Sequence, residues 1–207
     1  MSSSSIKKVR GLRIFDKKHK AVKTIIKKGH YPKIHGDKVW FSSYFIMDYL
    51  RKHTSHAKRA NIMEVGCGWG LLSIFCAKKF KANVVSVDAD KHVMPLLQLH
   101  SKENNVSIAT KVCRYEHLKP KTLAKQDIIV GGDICFWDEL VAPLYSMIKR
   151  ALKQNVGTII IADPGRSPFL KLAKRCQKQY DAELIPVSIK KPNKEQGYLL
   201  VINAQAA

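Results

Sequence analysis

The sequence predicts an α/β fold built on a doubly wound, mostly parallel sheet of seven strands behind a basic N-terminal extension. Three observations carry this expectation. From residue 61 onward, β-rich apolar runs of five or six residues alternate with longer stretches of helical periodicity. A turn with glycine at every second position, Gly66, Gly68 and Gly70, joins the first run to the first helical stretch. Two more β-rich runs near the C terminus are joined by only eight residues, too few for a helical crossover, so they must pair antiparallel.

Taken in order, residues 1–36 mix apolar pairs such as Ile14-Phe15 and Ile25-Ile26 with lysines and with the breakers Gly29, Pro32 and Gly36. This reads as an irregular or weakly structured extension rather than a domain. Aromatic and apolar residues from Val39 to Leu50 fit a helix packed on the sheet, with Ser42 or Ser43 able to cap it. His53 to Arg59 forms a polar link. The first strand is Asn61–Val65 and its helix Leu71–Phe80. The second strand is Asn83–Asp88, followed by a helix over about 91–103 with Pro95 in its early turns, where a missing N–H matters least. Ile108–Cys113, Asp127–Gly131 and Gly157–Ala162 are the third to fifth strands, with helices over about 138–152 and 168–180 after the last two. Leu184–Ile189 and Tyr198–Ile202 form the closing hairpin. Right-handed crossovers fix the wrapping.

Strand, glycine turn, helix, and a second strand ending in a carboxylate can hold an adenosine cofactor at the carboxyl edge of a parallel sheet. A dinucleotide site wants G-x-G-x-x-G, with the helix N terminus aimed at a pyrophosphate. Here the third glycine comes one residue early, and Glu64 precedes the turn. That spacing suits a cofactor with a ribose and an amino-acid tail but no phosphate, which describes S-adenosyl-L-methionine. The glycines let the backbone approach the methionine part. Asp88 can accept both ribose hydroxyl protons; its other reading is a helix cap. A ligand-free glycine turn and a nucleotide site are the competing readings of the loop.

Glu64-x-Gly66-x-Gly68-x-Gly70 followed by Asp88 resembles the first two cofactor motifs of the class I, seven-strand S-adenosylmethionine methyltransferases. The resemblance implies a Rossmann-like sheet of order 3-2-1-4-5-7-6 with strand seven antiparallel. It places the cofactor against Trp40, Glu64, Gly66, Cys67, Gly68, Gly70, Asp88 and Ala89, with Arg114 beside the adenine and Gly132 and Asp133 at the fourth strand's tip. Asp133-Ile134-Cys135-Phe136 resembles the Asp-x-x-Tyr segment of protein-lysine methyltransferases, with Phe136 where that pattern has Tyr. Val39-Trp40 is similar to the pre-core Val-Trp of that group. Asp163-Pro164-Gly165-Arg166 resembles the Asp-Pro-Gly-Arg segment of the branch that modifies the β subunit of electron-transfer flavoprotein. The likeness covers residues 38 to about 203, implying a methyltransferase domain over 37–207 and a basic arm over 1–36 outside it.

The implied function is protein-lysine N-methylation. Asp133 is the catalytic residue, orienting the amine or attracting the lysine ammonium. Phe136, Trp137 and Arg166 lie on the substrate side. The aromatic faces of Trp40, Phe136 and Trp137 either favour cationic groups by about 0.5–2 kcal/mol or simply pack in the core. Water can take the lysine proton, so no general base is demanded. His92, His100 and His117 show no partner arrangement and are expected at the surface. An RNA methyltransferase, a small-molecule N-methyltransferase and a cofactor-binding protein without turnover are the alternatives. The Asn/Asp-Pro-Pro-Tyr signature of base-amino methyltransferases is absent.

The five cysteines (Cys67, Cys76, Cys113, Cys135, Cys176) form no C-x-x-C pair and no cluster with His at ligand spacing, so no metal is expected and a reducing, cytoplasmic setting is. No apolar stretch approaches the ~20 residues of a membrane span. The Ser-rich start has no apolar run behind it, so no secretory signal is expected. It is basic and acid-poor like an organelle transit peptide, but lysine rather than arginine dominates it. The formal charge is +21 and unevenly spread: residues 1–60 hold sixteen Lys/Arg against three acids. Such a front implies an acidic partner, either nucleic acid, a membrane surface or an acidic protein, or else a solubilising tail.

Overall fold

A computed structural model describes residues 6–36, 38–191 and 193–204. The Ser-rich start at 1–5, Asp37 at the expected domain boundary, and Pro192 lie outside the described residues.

The main sheet is built from β3 (Asn61–Val65), β4 (Asn83–Asp88), β5 (Ala109–Val112), β6 (Ile128–Gly132), β7 (Thr158–Asp163), β8 (Asp181–Ile189) and β9 (Glu195–Asn203). Its order is β5-β4-β3-β6-β7-β9-β8, which is 3-2-1-4-5-7-6 when its strands are counted alone. The strand neighbours β3/β4, β3/β6, β4/β5 and β6/β7 are parallel, while β9 runs antiparallel to both β7 and β8. The last two strands are longer than their apolar centres suggest, because pairing continues from Asp181↔Asn203 to Ile189↔Glu195.

Both faces are covered, which is why the inner strands read as continuous apolar runs. One face carries α2 (Ser42–Lys52) and α4 (Leu71–Phe80), which bury Phe45, Met47, Leu72 and Ile74 with Ile62, Val130 and Ile160. The other carries α7 (Val141–Leu152) and α8 (Ser167–Gln177), which bury Leu144, Ile148, Phe169 and Leu172 with Met63, Ile129 and Ile161. The period of two splits neighbouring strand residues between these layers. Two short helices, α3 (Thr54–Ala57) and α6 (Pro120–Leu123), sit in connections, and α5 (Met94–Glu103) has its proline in the first turn. Neither Ser42 nor Ser43 caps α2. Both lie inside the helix, and the Ser42 N–H donates to the Asp133 carboxylate at 3.4 Å.

The N-terminal segment is not irregular. Residues 6–27 form a hairpin of β1 (Ile6–Val9) and β2 (Leu12–Phe15), then α1 (Lys20–Lys27). Arg10 and Gly11 at the turn both have positive φ, 48° and 81°, the backbone a two-residue hairpin turn needs. Arg10 is held there by a two-pronged bond to Asp48 (2.9 and 2.7 Å) and lies over the Tyr44 ring. Leu12 and Ile14 enter the main core, while Phe15 and Val22 pack with Trp69 and Leu96. Four-residue strands are too short to declare a period, so only the long-range packing makes them regular.

His100, expected at the surface, is instead buried under this hairpin, stacked on Trp69 at 5.2 Å. The Phe15 N–H donates to His100 Nε2 (3.2 Å), and Nδ1 lies 2.7 Å from the Leu96 carbonyl. The imidazole is therefore neutral with its proton on Nδ1. Burial holds its pKa below the ordinary value. As pH falls below about 6.5, the unfolded chain takes the proton first, so stability drops with pH. Amide exchange at Phe15 is expected to lose protection between pH 7 and 5 while β6 stays protected; equal protection at both pH values would contradict the role given to His100.

Candidate active site

Strand order reverses between β3 and β6, and a cavity of about 600 Å³ opens beside the carboxyl ends of the strands there. That volume lies in the range of small-molecule sites. The β3 and β4 tips bring Gly66, Gly68, Asp88 and Ala89 to its wall. Gly66 and Gly68 have φ of +68° and +49°, and nothing lies within 4 Å of where a Gly68 side chain would begin. Asp88 is oriented by two backbone donors, the Gly68 N–H and the Asp90 N–H, each at 2.9 Å, one to each oxygen. Burial raises its pKa. Each oxygen keeps a lone pair for a further donor.

Three expected cofactor contacts do not reach the cavity. Glu64, Cys67 and Gly70 lie behind the loop and build it. Glu64 is buried, accepting from the Ser73 N–H (2.9 Å) and hydroxyl, which ties β3 to the first turn of α4. Burial pushes its pKa up to about 8 against the lowering bonds from Ser73. Cys67 packs with Val93, Met94 and Leu97. Gly70 holds φ +74° against Leu97, whose Cγ would sit 2.5 Å from an added Cβ. Gly70→Ala therefore combines a left-handed penalty with a clash and is expected to cost about 2 kcal/mol or more; a chemical denaturation midpoint equal to wild type would refute that reading.

Arg114, Trp40, Gly132, Asp133, Phe136, Trp137 and Arg166 all line the cavity. Gly132 lets the N terminus of α2 approach closely: the Ser43 backbone nitrogen would lie 3.2 Å from an added Cβ. Asp133, in a left-handed conformation at φ +60°, does not present a free carboxylate. Arg166 bridges Asp133 (2.7 Å) and the fully enclosed Asp163 (2.8 Å). Asp163 also accepts from the Gly165 and Arg166 N–H groups. This triangle joins the β6 and β7 tips to α2.

An aromatic rim closes the cavity. Phe136 and Trp137 meet edge to face at 4.8 Å, His35 contacts both, and the Trp40 indole donates to the His35 carbonyl at 2.8 Å. His35, Lys33 and Ile34 were missed as cavity residues because nothing local marks their segment. It is laid over the opening by long-range anchors: the Lys33 and Ile34 N–H groups donate to Asp90, and the Trp69 indole donates to the Gly36 carbonyl.

Beyond β5, Arg114 pairs with Glu116, and Glu116 is a cavity residue the sequence did not flag. Burial raises its carboxyl, but the Arg114 hydrogen bond and charge outweigh that and leave it lowered and ionised. Its Oε2 is buried with no partner among the described residues. An acid beside the adenine side is the signal that could have found it, displaced two positions from Arg114. No group of three or more His, Cys, Asp or Glu among the described residues could hold a metal ion. No helix among them is long and apolar enough to cross a membrane.

A seven-strand sheet of this order, with a glycine loop and an acid at its switch point, defines the class I methyltransferase fold. TrmN from Thermus thermophilus shares it, with a TM-score of 0.61 at 15% identity, covering 77% of this chain and 48% of that one. Residues 20–175 match the family model described as lysine methyltransferase, and the chain belongs to that family. Family members use S-adenosylmethionine. The chain is 22% identical to the electron transfer flavoprotein beta subunit lysine methyltransferase of Xenopus laevis over 63% of its length and 52% of that protein. It is 35% identical to a ubiquinone biosynthesis O-methyltransferase of Pelagibacter ubique over 55% of its length and 45% of that protein. The chain thus spans about half the length, or less, of the curated relatives it matches.

Proposed function

We propose that this protein is an S-adenosylmethionine-dependent methyltransferase acting on the side-chain amine of a protein lysine. The observation that carries the reading is one cavity with two unlike walls. The β3 and β4 tips supply glycine backbone and a carboxylate, and the β6 tip with the segment before α2 supplies an aromatic rim. The residues present fit the cofactor: a left-handed glycine cradle, an oriented Asp88, and an unpartnered Glu116 oxygen.

When bound, S-adenosylmethionine supplies an electrophilic methyl group on a sulfonium. Asp88 would accept the ribose hydroxyls and Glu116 the adenine amino protons. The rim would exclude water, and Phe136 and Trp137 would hold the aliphatic and cationic parts of a lysine; the Trp40 ring already carries Lys38 at 4.0 Å. Positioning of this kind is most of what an in-line methyl transfer asks. Asp133, paired with Arg166, acts through placement: it holds the β6 tip, and hence Phe136 and Trp137, against α2.

Asp88→Ala is expected to weaken cofactor binding by roughly 1–3 kcal/mol, whereas Asp133→Ala lowers turnover with little change in cofactor affinity. Calorimetry and initial rates separate the two; the reverse pattern would mean the carboxylates serve opposite ligands. The lysine assignment is tested by incubating the protein with methyl-labelled cofactor and a protein lysate, then digesting with nuclease or protease. Label that resists nuclease and maps to lysine by mass spectrometry is the expected result. Label removed by nuclease would overturn it.

A further inference from the structure

We infer that the N-terminal module is a binding site for single-stranded nucleic acid, running from the outer face of α1 to the rim of the cavity. Both arginines of the hairpin are ion-paired, Arg10 with Asp48 and, at the surface, Arg13 with Glu103. The lysines of α1 face solvent. Lys20, Lys23 and Lys27 occupy the face of α1 away from buried Val22, at i, i+3 and i+7, and all are exposed. Lys28 and Lys33 continue the series, both exposed, and Lys33 is itself a cavity residue. Asp16 is the only acid in the sequence from 6 to 36. Because the hairpin and helix are docked through Phe15, Val22, Trp69 and Leu96, these charges form a surface of fixed geometry.

An exposed ring selects among polyanions. Tyr31, between Lys28 and Lys33, is 59% exposed. An acidic protein needs counter-charges but gains little from a bare ring among lysines. A single strand offers phosphates for the lysines and an unstacked base for the ring. A duplex keeps its bases stacked and would leave the ring unused. The site does not depend on the lysine-methylation reading, because binding is measured without cofactor or turnover.

The test is fluorescence anisotropy of the full chain with a labelled 20-nucleotide oligouridine, its deoxy counterpart, a 20-base-pair duplex and a polyglutamate peptide, across salt. Single strands are expected to bind most tightly, with a log–log salt slope of about −0.7 per phosphate contacted. The ribose and deoxyribose arms tell which sugar is preferred. Substituting Lys20, Lys23 and Lys27 together by Gln should flatten the slope by about 2 while leaving the urea denaturation midpoint unchanged, which certifies the fold. Tyr31→Ala should weaken binding roughly ten-fold with the slope unchanged, the signature of lost stacking. Equal or tighter binding of duplex or polyglutamate, a triple variant with unchanged slope, or a Tyr31→Ala protein binding like wild type would each overturn the proposal.

Discussion

Replacing Arg166 by Met is expected to destabilise the protein by about 3 kcal/mol at neutral pH, the cost of leaving a buried charge without its partner. Arg166 bridges two carboxylates, and the Asp163 side chain is 0% exposed, so water cannot substitute for the guanidinium. Burial already raises the Asp163 pKa with Arg166 in place. Without it the rise is larger, the unfolded state holds fewer protons than the folded one, and stability falls as pH rises from the unfolded value near 4. The deficit of the variant should therefore shrink in acid, and Asp163→Asn in the same chain should restore part of it at pH 7. Urea denaturation at pH 5 and 7.5 measures both. A variant as stable as wild type at pH 7.5 would mean the triangle contributes no stability.

Glu64 gives the second large effect, with a distinct pH signature. Its folded pKa of about 8 stands above the ordinary 4.5 because the carboxyl is enclosed. A raised carboxyl pKa contributes stability that is present below 4.5 and lost as pH rises toward 8. At about 1.4 kcal/mol per unit, the loss between pH 5 and 8 is roughly 3 kcal/mol. Gln is neutral at every pH and close in shape, so Glu64→Gln should remove this slope, leaving stability near wild type at pH 5 and above it at pH 8.5. A wild-type profile that is flat across this range, or a Gln variant with the same slope, would contradict a protonated Glu64.

Much of the sheet was legible because its inner strands are buried on both faces and because α4 starts after glycine and α5 and α8 have proline in their first turn. Asn61–Val65, Leu71–Phe80 and Asn83–Asp88 fall where the pattern puts them. The closing hairpin followed from the length of one connection. What was not legible depends on partners far away in sequence. The β1–β2 hairpin is held by Arg10 to Asp48 and Phe15 to His100, and neither pairing leaves a local trace. The role of Arg166 depends on β6 and β7 being neighbours, which brings Asp133 within reach across thirty-three positions. Glycine spacing identified the cofactor loop but could not say which of its residues face the cavity. Gly66 and Gly68 do, while Glu64, Cys67 and Gly70 support them from behind. Glu116 escaped because a short turn, Tyr115–His117, returns it to the cavity wall two residues past the expected place.

The central claim is that the cavity beside Asp88 holds S-adenosylmethionine for methyl transfer. Titration calorimetry of the full chain with S-adenosylhomocysteine, repeated on Asp88→Ala and with NAD, tests it most directly. One molecule bound per chain, weakened ten-fold or more by the Asp88 change, with no heat from NAD, is the expected result. NAD binding that depends on Asp88, with no response to S-adenosylhomocysteine, would contradict it.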